Sequence, residues 1–327
     1  MILTGTFDLH SRDPWTQAVY RTWFVRDEST HHYVPPVLQC FDDPLCWEPG
    51  HEGSYAAWCR EMVSVCPRVF ADHDMRVAKD LKRRLRTWDK LKQDMKAGVA
   101  VEPVQFRVEP DGSLFLLDGR HRIAVAWALG RPVAAEYELT DGAQEAYERA
   151  LREGLGRPYQ KPLHPMFSGI DGWRHDAKRF DVILRDACPR ATGGQAIDVG
   201  ASYGRFAWGL HDAGACVTAV DPEPVDERFW PGAVPRVASV FDIEWEGDGP
   251  RVLLLLAVLH HMTDVERARC EILANEADVV YVEPTVPENP CLHVDMEQWM
   301  RNLRGERELI YTTADVNGRP VYRWRRA

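Results

Sequence analysis

The chain has 327 residues, 45% hydrophobic and 28% charged, with a formal net charge of −10. That length gives room for two globular domains, and no apolar run approaches the roughly 20 residues that cross a bilayer. The acidic balance is shared, with 19 Lys and Arg against 23 Asp and Glu in residues 1–150 and 21 against 27 in residues 151–327. It argues against nucleic acid as the main partner, although a local basic face is compatible with such binding.

The opening MILTGTFDLHSRDPW lacks the basic stretch and apolar core of a secretory signal, so a cytoplasmic protein without a membrane partner is expected. The eight cysteines (Cys40, Cys46, Cys59, Cys66, Cys188, Cys216, Cys270 and Cys291) contain no CxxC pair. With His31 and His32, the first four have five, twelve and six intervening residues, which match no common zinc pattern. Free thiols and no metal are expected. Residues 1–70, rich in Trp, Pro and His, show no clear period and are expected to be irregular. Val77, Leu81, Leu85, Trp88, Leu91 and Met95 recur at steps of three and four, predicting a helix over Met75–Ala97 that Gly98 ends. Its Lys and Arg side, Lys82 to Lys92, reads as a solvated face.

Val101–Val108 and Ser113–Leu117 flank the turn Glu109-Pro-Asp-Gly112 and predict a β-hairpin. Asp118-Gly-Arg-His-Arg122 leads into an apolar helix over Ile123–Leu129, followed by a strand over Val133–Leu139 and a helix over Ala143–Glu153. A linker or lid is expected over 151–168, where Tyr159–Phe167 is rich in aromatics and proline. The second half alternates strands (near 195–199, 216–220, 234–238, 252–257 and 278–283) with helices, which predicts a parallel sheet. After a helix over Asp295–Arg304, the runs Glu308–Thr313 and Pro320–Trp324 flank Asn317-Gly318, a strong hairpin signal. The expected fold is therefore α/β: a doubly wound, seven-stranded and mostly parallel sheet with a terminal antiparallel hairpin, preceded by a smaller α+β domain over 1–150.

The stretch Ala196-Ile-Asp-Val-Gly-Ala-Ser-Tyr-Gly-Arg-Phe206 carries the chemistry. A β-branched strand runs into Gly200 and Gly204 and then a helix, so the backbone can approach a ligand closely, and the helix N-terminus favours an anion. Asp198 can accept from an ammonium, so a zwitterionic tail would be held at both ends. Asp221, seventeen residues past Gly204, can accept from ribose hydroxyls, and Asp242 can accept from an adenine amino group. A nicotinamide site expects G-x-G-x-x-G without an acid two residues before the first glycine, so this pattern departs from it.

Asp-x-Gly-x-x-x-Gly, the second-strand acid and the closing hairpin together resemble the class I S-adenosylmethionine (SAM)-dependent methyltransferases. The resemblance covers about half the chain and implies a SAM site built from Asp198, Gly200, Ala201, Ser202, Gly204, Asp221, Pro222 and Asp242. Ser202 stands where the family often has glycine. Leu255–Met262 resembles the family's fourth strand and the loop beneath the methionine moiety. For the transfer itself, which demands alignment and in some cases removal of a proton, the candidates are His260, His261 and Glu283. Tyr203, Arg205, Trp173 and Arg174 are further pocket candidates.

In the first half, the two arginines and the histidine beside the helix start of Asp118–Arg122 suit a phosphate. The surrounding Val77–Leu139 resembles the ParB/sulfiredoxin-like domains, whose signature is an Asp-Gly-x-His-Arg turn. That resemblance implies phosphate contacts from Gly119, Arg120, His121 and Arg122, with Asp118 shaping the turn and ATP or CTP as ligand. The cysteine that the sulfiredoxin branch needs is missing between Cys66 and Cys188. Three functions follow as expectations: a methyltransferase for a small, phosphorylated or nucleotide-linked acceptor; a bifunctional nucleotide-dependent kinase and methyltransferase; or a non-enzymatic, DNA-associated adaptor. The sequence leaves the oligomeric state open.

Overall fold

The computed structural model describes residues 1–24, 86–87, 90–153, 160–170, 177–222, 225–284, 296–313 and 318–326. The predicted helix over Met75–Ala97 lies largely outside them; residues 90–96 are helical, and Gly98, with φ of 77°, follows. His31, His32, the first four cysteines, Trp173 and Arg174 also lie outside the described residues. Two compact units are formed, one from residues 1–145 and 164–169, the other from 146–163 and 170–327.

The first unit is built on a four-stranded sheet in the order β1-β4-β2-β3, from β1 (Ile2–Phe7), β2 (Val104–Val108), β3 (Leu114–Asp118) and β4 (Val133–Leu139). Contrary to the irregular structure expected over residues 1–70, the chain begins with a strand and a helix. β1 pairs antiparallel with β4 from Ile2↔Glu138 to Phe7↔Val133, and α1 (Pro14–Trp23) follows it. Asp13 caps that helix, accepting from the Thr16 amide at 2.8 Å, and Pro14 opens it. Asp-Pro is a readable helix start. The strand carries no local signal, because its partner lies more than a hundred residues away and most of its residues are exposed or half-buried. Phe7, Phe106 and Tyr137, from three strands, pack in the core with ring centroids 4.6 and 5.6 Å apart, the first pair tilted and the second stacked.

Helix α2 (Arg120–Ala128) connects β3 to β4. Residues 164–168, placed in a linker or lid by sequence, belong with Gly169 to this unit. His164 is buried, its Nε2 donating to the Gly112 carbonyl at 2.7 Å and its Nδ1 accepting from the Met166 amide at 3.2 Å. This arrangement requires the neutral ring. Burial pushes its pKa down to about 4. Helix α3 (Asp141–Glu153) follows β4.

The second unit is the doubly wound α/β fold. Its seven-stranded sheet has the order β10-β11-β9-β8-β5-β6-β7, from β5 (Gln195–Val199), β6 (Cys216–Val220), β7 (Arg236–Val237), β8 (Arg251–Leu256), β9 (Val279–Glu283), β10 (Glu306–Thr312) and β11 (Pro320–Arg325). Strands β5 to β9 run parallel, and β11 enters antiparallel between β9 and β10. Along β8 the side chains alternate between two cores. Val252, Leu254 and Leu256 face α4 (Ala177–Ala191) and α5 (Arg205–Asp212). Leu253 and Leu255 face α6 (Asp264–Glu276) and α7 (Met296–Arg301). A strand buried on both faces explains the continuous apolar run Val252–Leu256. Among the described residues, no helix is long and apolar enough to cross a membrane.

Candidate functional site

Chain order reverses between β5 and β8, the crevice in which open parallel sheets hold ligands beyond the carboxyl ends of their strands. The loop after β5 is tightly constrained there. Gly200, Ser202 and Gly204 all adopt left-handed backbone, with φ of 76°, 49° and 72°. A Cβ on Gly200 would lie 2.7 Å from Val258 Cγ2, and one on Gly204 would lie 2.8 Å from the Trp230 ring. Both glycines are therefore required by space as well as by φ. Ser202, at positive φ, holds a conformation that glycine adopts more readily. The Gly200 and Ala201 amides donate to the Val220 carbonyl at 2.8 and 3.2 Å, tying the loop to β6.

The predicted acids separate by environment. Asp198 is buried, 2% exposed, and its Oδ2 accepts from the Ala207 amide in the first turn of α5 at 3.1 Å. Burial pushes its pKa up to about 7; the Ala207 bond and the charge of Arg179 oppose that rise, and Asp221 adds to it. Asp221 is half-buried, and its Oδ2 accepts from the Ser202 amide at 2.7 Å. Pro222 beside it is exposed, Ala201 within the loop is buried, and Asp242 is exposed at the end of the short turn Val240–Asp242, which Ser239 caps. Tyr203 is buried, and the Arg205 guanidinium lies 4.2 Å from the centroid of the Phe180 ring.

Beyond β8, Ala257 also takes left-handed backbone, with φ of 56°, and its amide donates to the Glu283 carbonyl at 3.0 Å. A non-glycine residue in that region costs roughly 1–3 kcal/mol and marks functional turns. His260 and His261 follow, half-buried and exposed, with ring centroids 3.8 Å apart. At the tip of β9 the Glu283 side chain is buried against two arginines. Arg179 grips Oε2 through Nε at 2.7 Å and Nη2 at 2.5 Å, and Arg319 Nη1 lies 4.0 Å from Oε1. Arg179, Ala257, Trp230 and Arg319 were not among the sequence candidates. No local pattern distinguishes a buried arginine from a solvated one.

No family model and no curated protein matches the chain. Among solved structures it is similar to the bifunctional kinase-methyltransferase WbdD, at 21% identity over 54% of this chain and 45% of that one, with a TM-score of 0.42. The chain thus spans less than half the length of that protein. It is also similar to magnesium protoporphyrin IX methyltransferase (ChlM) from Synechocystis PCC 6803 with bound SAM (16% identity, 46% and 79% of the two chains, TM-score 0.34). A third is the N-methyltransferase NodS from Bradyrhizobium japonicum WM9 (11%, 46% and 94%, 0.35).

In the first unit, Gly119 caps α2 with φ of 105°, and a Cβ there would lie 2.6 Å from Val104 Cγ1. Arg122 is turned inward: Nη1 donates to the Glu102 and Pro103 carbonyls at 2.7 and 2.6 Å, and Nη2 pairs with Asp118. Arg120 and His121 are half-buried at the helix start.

Proposed function

We propose that the second unit binds SAM and transfers its methyl group to a small acceptor. The observation that carries this reading is the Asp198 carboxyl, 2% exposed beneath the Gly200–Gly204 loop at the switch point. A buried acid in that place would repel the pyrophosphate of a dinucleotide and suits an ammonium. The α5 N-terminus and loop amides suit the carboxylate of the same amino-acid tail, and Asp221, steadied by the Ser202 amide, suits ribose hydroxyls. Asp242 and Pro222 would flank the base.

When bound, SAM supplies a methyl group on a sulfonium, open to in-line attack. The residues' share is alignment and proton removal: His260 or His261 would take the acceptor proton, since imidazole titrates near neutrality. Glu283, gripped by arginine, suits positioning.

For the first unit we propose a ParB/sulfiredoxin-like anion site at Asp118–Arg122. Arg120 and His121 would face a phosphate of the acceptor or of ATP or CTP, while Asp118 and Arg122 hold the turn. The partner is then a small molecule rather than nucleic acid.

Titration calorimetry with SAM tests the central claim. Binding by the wild type is expected to weaken at least about tenfold in both Asp198→Ala and Asp221→Ala, as loss of a charged hydrogen bond implies. Unchanged affinity in both variants refutes the site. The same titration with ATP and CTP tests the first unit.

A further inference from the structure

The short turn beyond β8 is held at both ends, and it carries two imidazoles. At its start the Ala257 amide donates to the Glu283 carbonyl at 3.0 Å, and Val258 Cγ2 fills the space that a side chain on Gly200 would need, 2.7 Å from that Cβ position. The turn, Leu259–His261, closes with the His261 amide donating to the Val258 carbonyl at 2.9 Å. At its end Arg267 of α6 donates through Nη1 to the Leu259 carbonyl at 3.4 Å and to the Met262 carbonyl, while Nη2 pairs with Asp264. Leu259 itself is buried. His260 and His261 are thereby kept with ring centroids 3.8 Å apart.

Charging both rings at that separation is opposed by their mutual repulsion, and a turn clamped at both ends cannot spread them apart. The charged groups on the flanking elements have partners of their own. Arg267 is paired with Asp264, and Glu266 accepts from the Thr263 amide and hydroxyl at 2.7 and 2.8 Å. Glu283 is gripped by Arg179, and Asp198 and Asp221 accept from the Ala207 and Ser202 amides. Val258 joins the turn to the Gly200 loop, so a cation held over that loop would add to the same repulsion.

We infer that His260 and His261 form one coupled pair, which takes a first proton near neutral pH and a second only well below it, and which gives up the first when a sulfonium is held over the Gly200 loop. The pair then meets the acceptor as a neutral base. As the acceptor's lone pair bonds to the methyl carbon, the carbon–sulfur bond breaks onto sulfur, and the acceptor's proton passes to an imidazole nitrogen. The release of the proton rests on the SAM reading, whereas the paired titration is measurable without it.

Nitrogen-15 NMR of histidine-labelled protein follows both rings, with His260→Gln and His261→Gln identifying their resonances. In the wild type the pair is expected to take up its protons in two steps at least about one pH unit apart. In each single variant the remaining ring should titrate in one step, above the lower step of the wild type. SAM should lower the upper step by about one pH unit, whereas S-adenosylhomocysteine, which lacks the sulfonium charge, should move it by less than about 0.3. Rings that each titrate in one simple step, unchanged by loss of the neighbour, overturn the coupled pair. Equal shifts with the two ligands, or no shift while calorimetry shows SAM bound, overturn the release of the proton. A wild type that shows the two steps but binds neither ligand removes the SAM reading and leaves the pair standing.

Discussion

Ser202 donates its amide hydrogen to the Asp221 carboxylate at 2.7 Å while its own φ stands at 49°. The loop after β5 and the tip of β6 are thereby joined before any ligand arrives. Serine pays about 1 kcal/mol for left-handed backbone, close to the entropy cost of glycine. Ser202→Gly should therefore leave stability within about 1 kcal/mol. Ser202→Val, β-branched, should lose about 2 kcal/mol and weaken SAM binding by releasing Asp221. Urea unfolding and calorimetry read both.

Gly200 and Val258 make the other close approach of the site. Gly200→Ala meets both the 2.7 Å contact and φ of 76°, and should cost more than about 2 kcal/mol. Adding Val258→Ala makes room for the new methyl but leaves the φ cost. The double variant should recover part of the loss in thermal melts, and full additivity would show that the two residues do not share the space.

The pKa of Asp198, raised to about 7, gives SAM binding a pH dependence. An ammonium takes the ionised form, so affinity should rise with pH to about 7 and level off, with proton uptake by buffer below that point. Stability runs the other way. The folded chain keeps a proton that the unfolded chain loses near pH 4, so the contribution is full below that value and is lost as pH rises to about 7. Its ceiling is about 4 kcal/mol. Asp198→Asn should stabilise the protein at pH 8 while weakening SAM binding, which parallel melts and titrations would show.

His164 has the opposite slope. Its pKa is depressed to about 4 in the folded chain, so the unfolded chain takes up the proton first as pH falls below about 6.5. Stability is full above that point and falls by about 3 kcal/mol at most on the way to pH 4. His164→Gln should flatten the acid limb of the wild-type stability profile and lower stability at pH 8 by about 1–3 kcal/mol through the lost bond to Gly112.

Within the Asp118–Arg122 turn the two arginines should separate by role. Arg122→Ala leaves the Glu102 and Pro103 carbonyls without their donor and should destabilise by about 2 kcal/mol. Arg120→Ala should remove phosphate or nucleotide binding, as measured by calorimetry with CTP and ATP. Retained binding in Arg120→Ala would make the turn structural.

Much of the second unit was legible because its signals are local. The alternating strands, the Asp198–Gly204 stretch, Asp221 at a strand tip and the Gly318 hairpin all state their conformation within a few residues. Glycine at positive φ and a strand buried on both faces leave marks in composition that need no knowledge of distant chain. In the first unit the hairpin and Gly119 were readable for the same reason.

Tertiary structure decided what depends on distant partners. It joined β1 to β4 across more than a hundred residues and set β11 between β9 and β10. It also turned Arg122 inward and closed Arg179 onto Glu283. Sequence named Asp198 as an acid at a strand end; burial, supplied by β6, β8 and α5, pushes its pKa up to about 7. Local pattern governs backbone conformation, whereas the dielectric around a charge belongs to the whole packed unit.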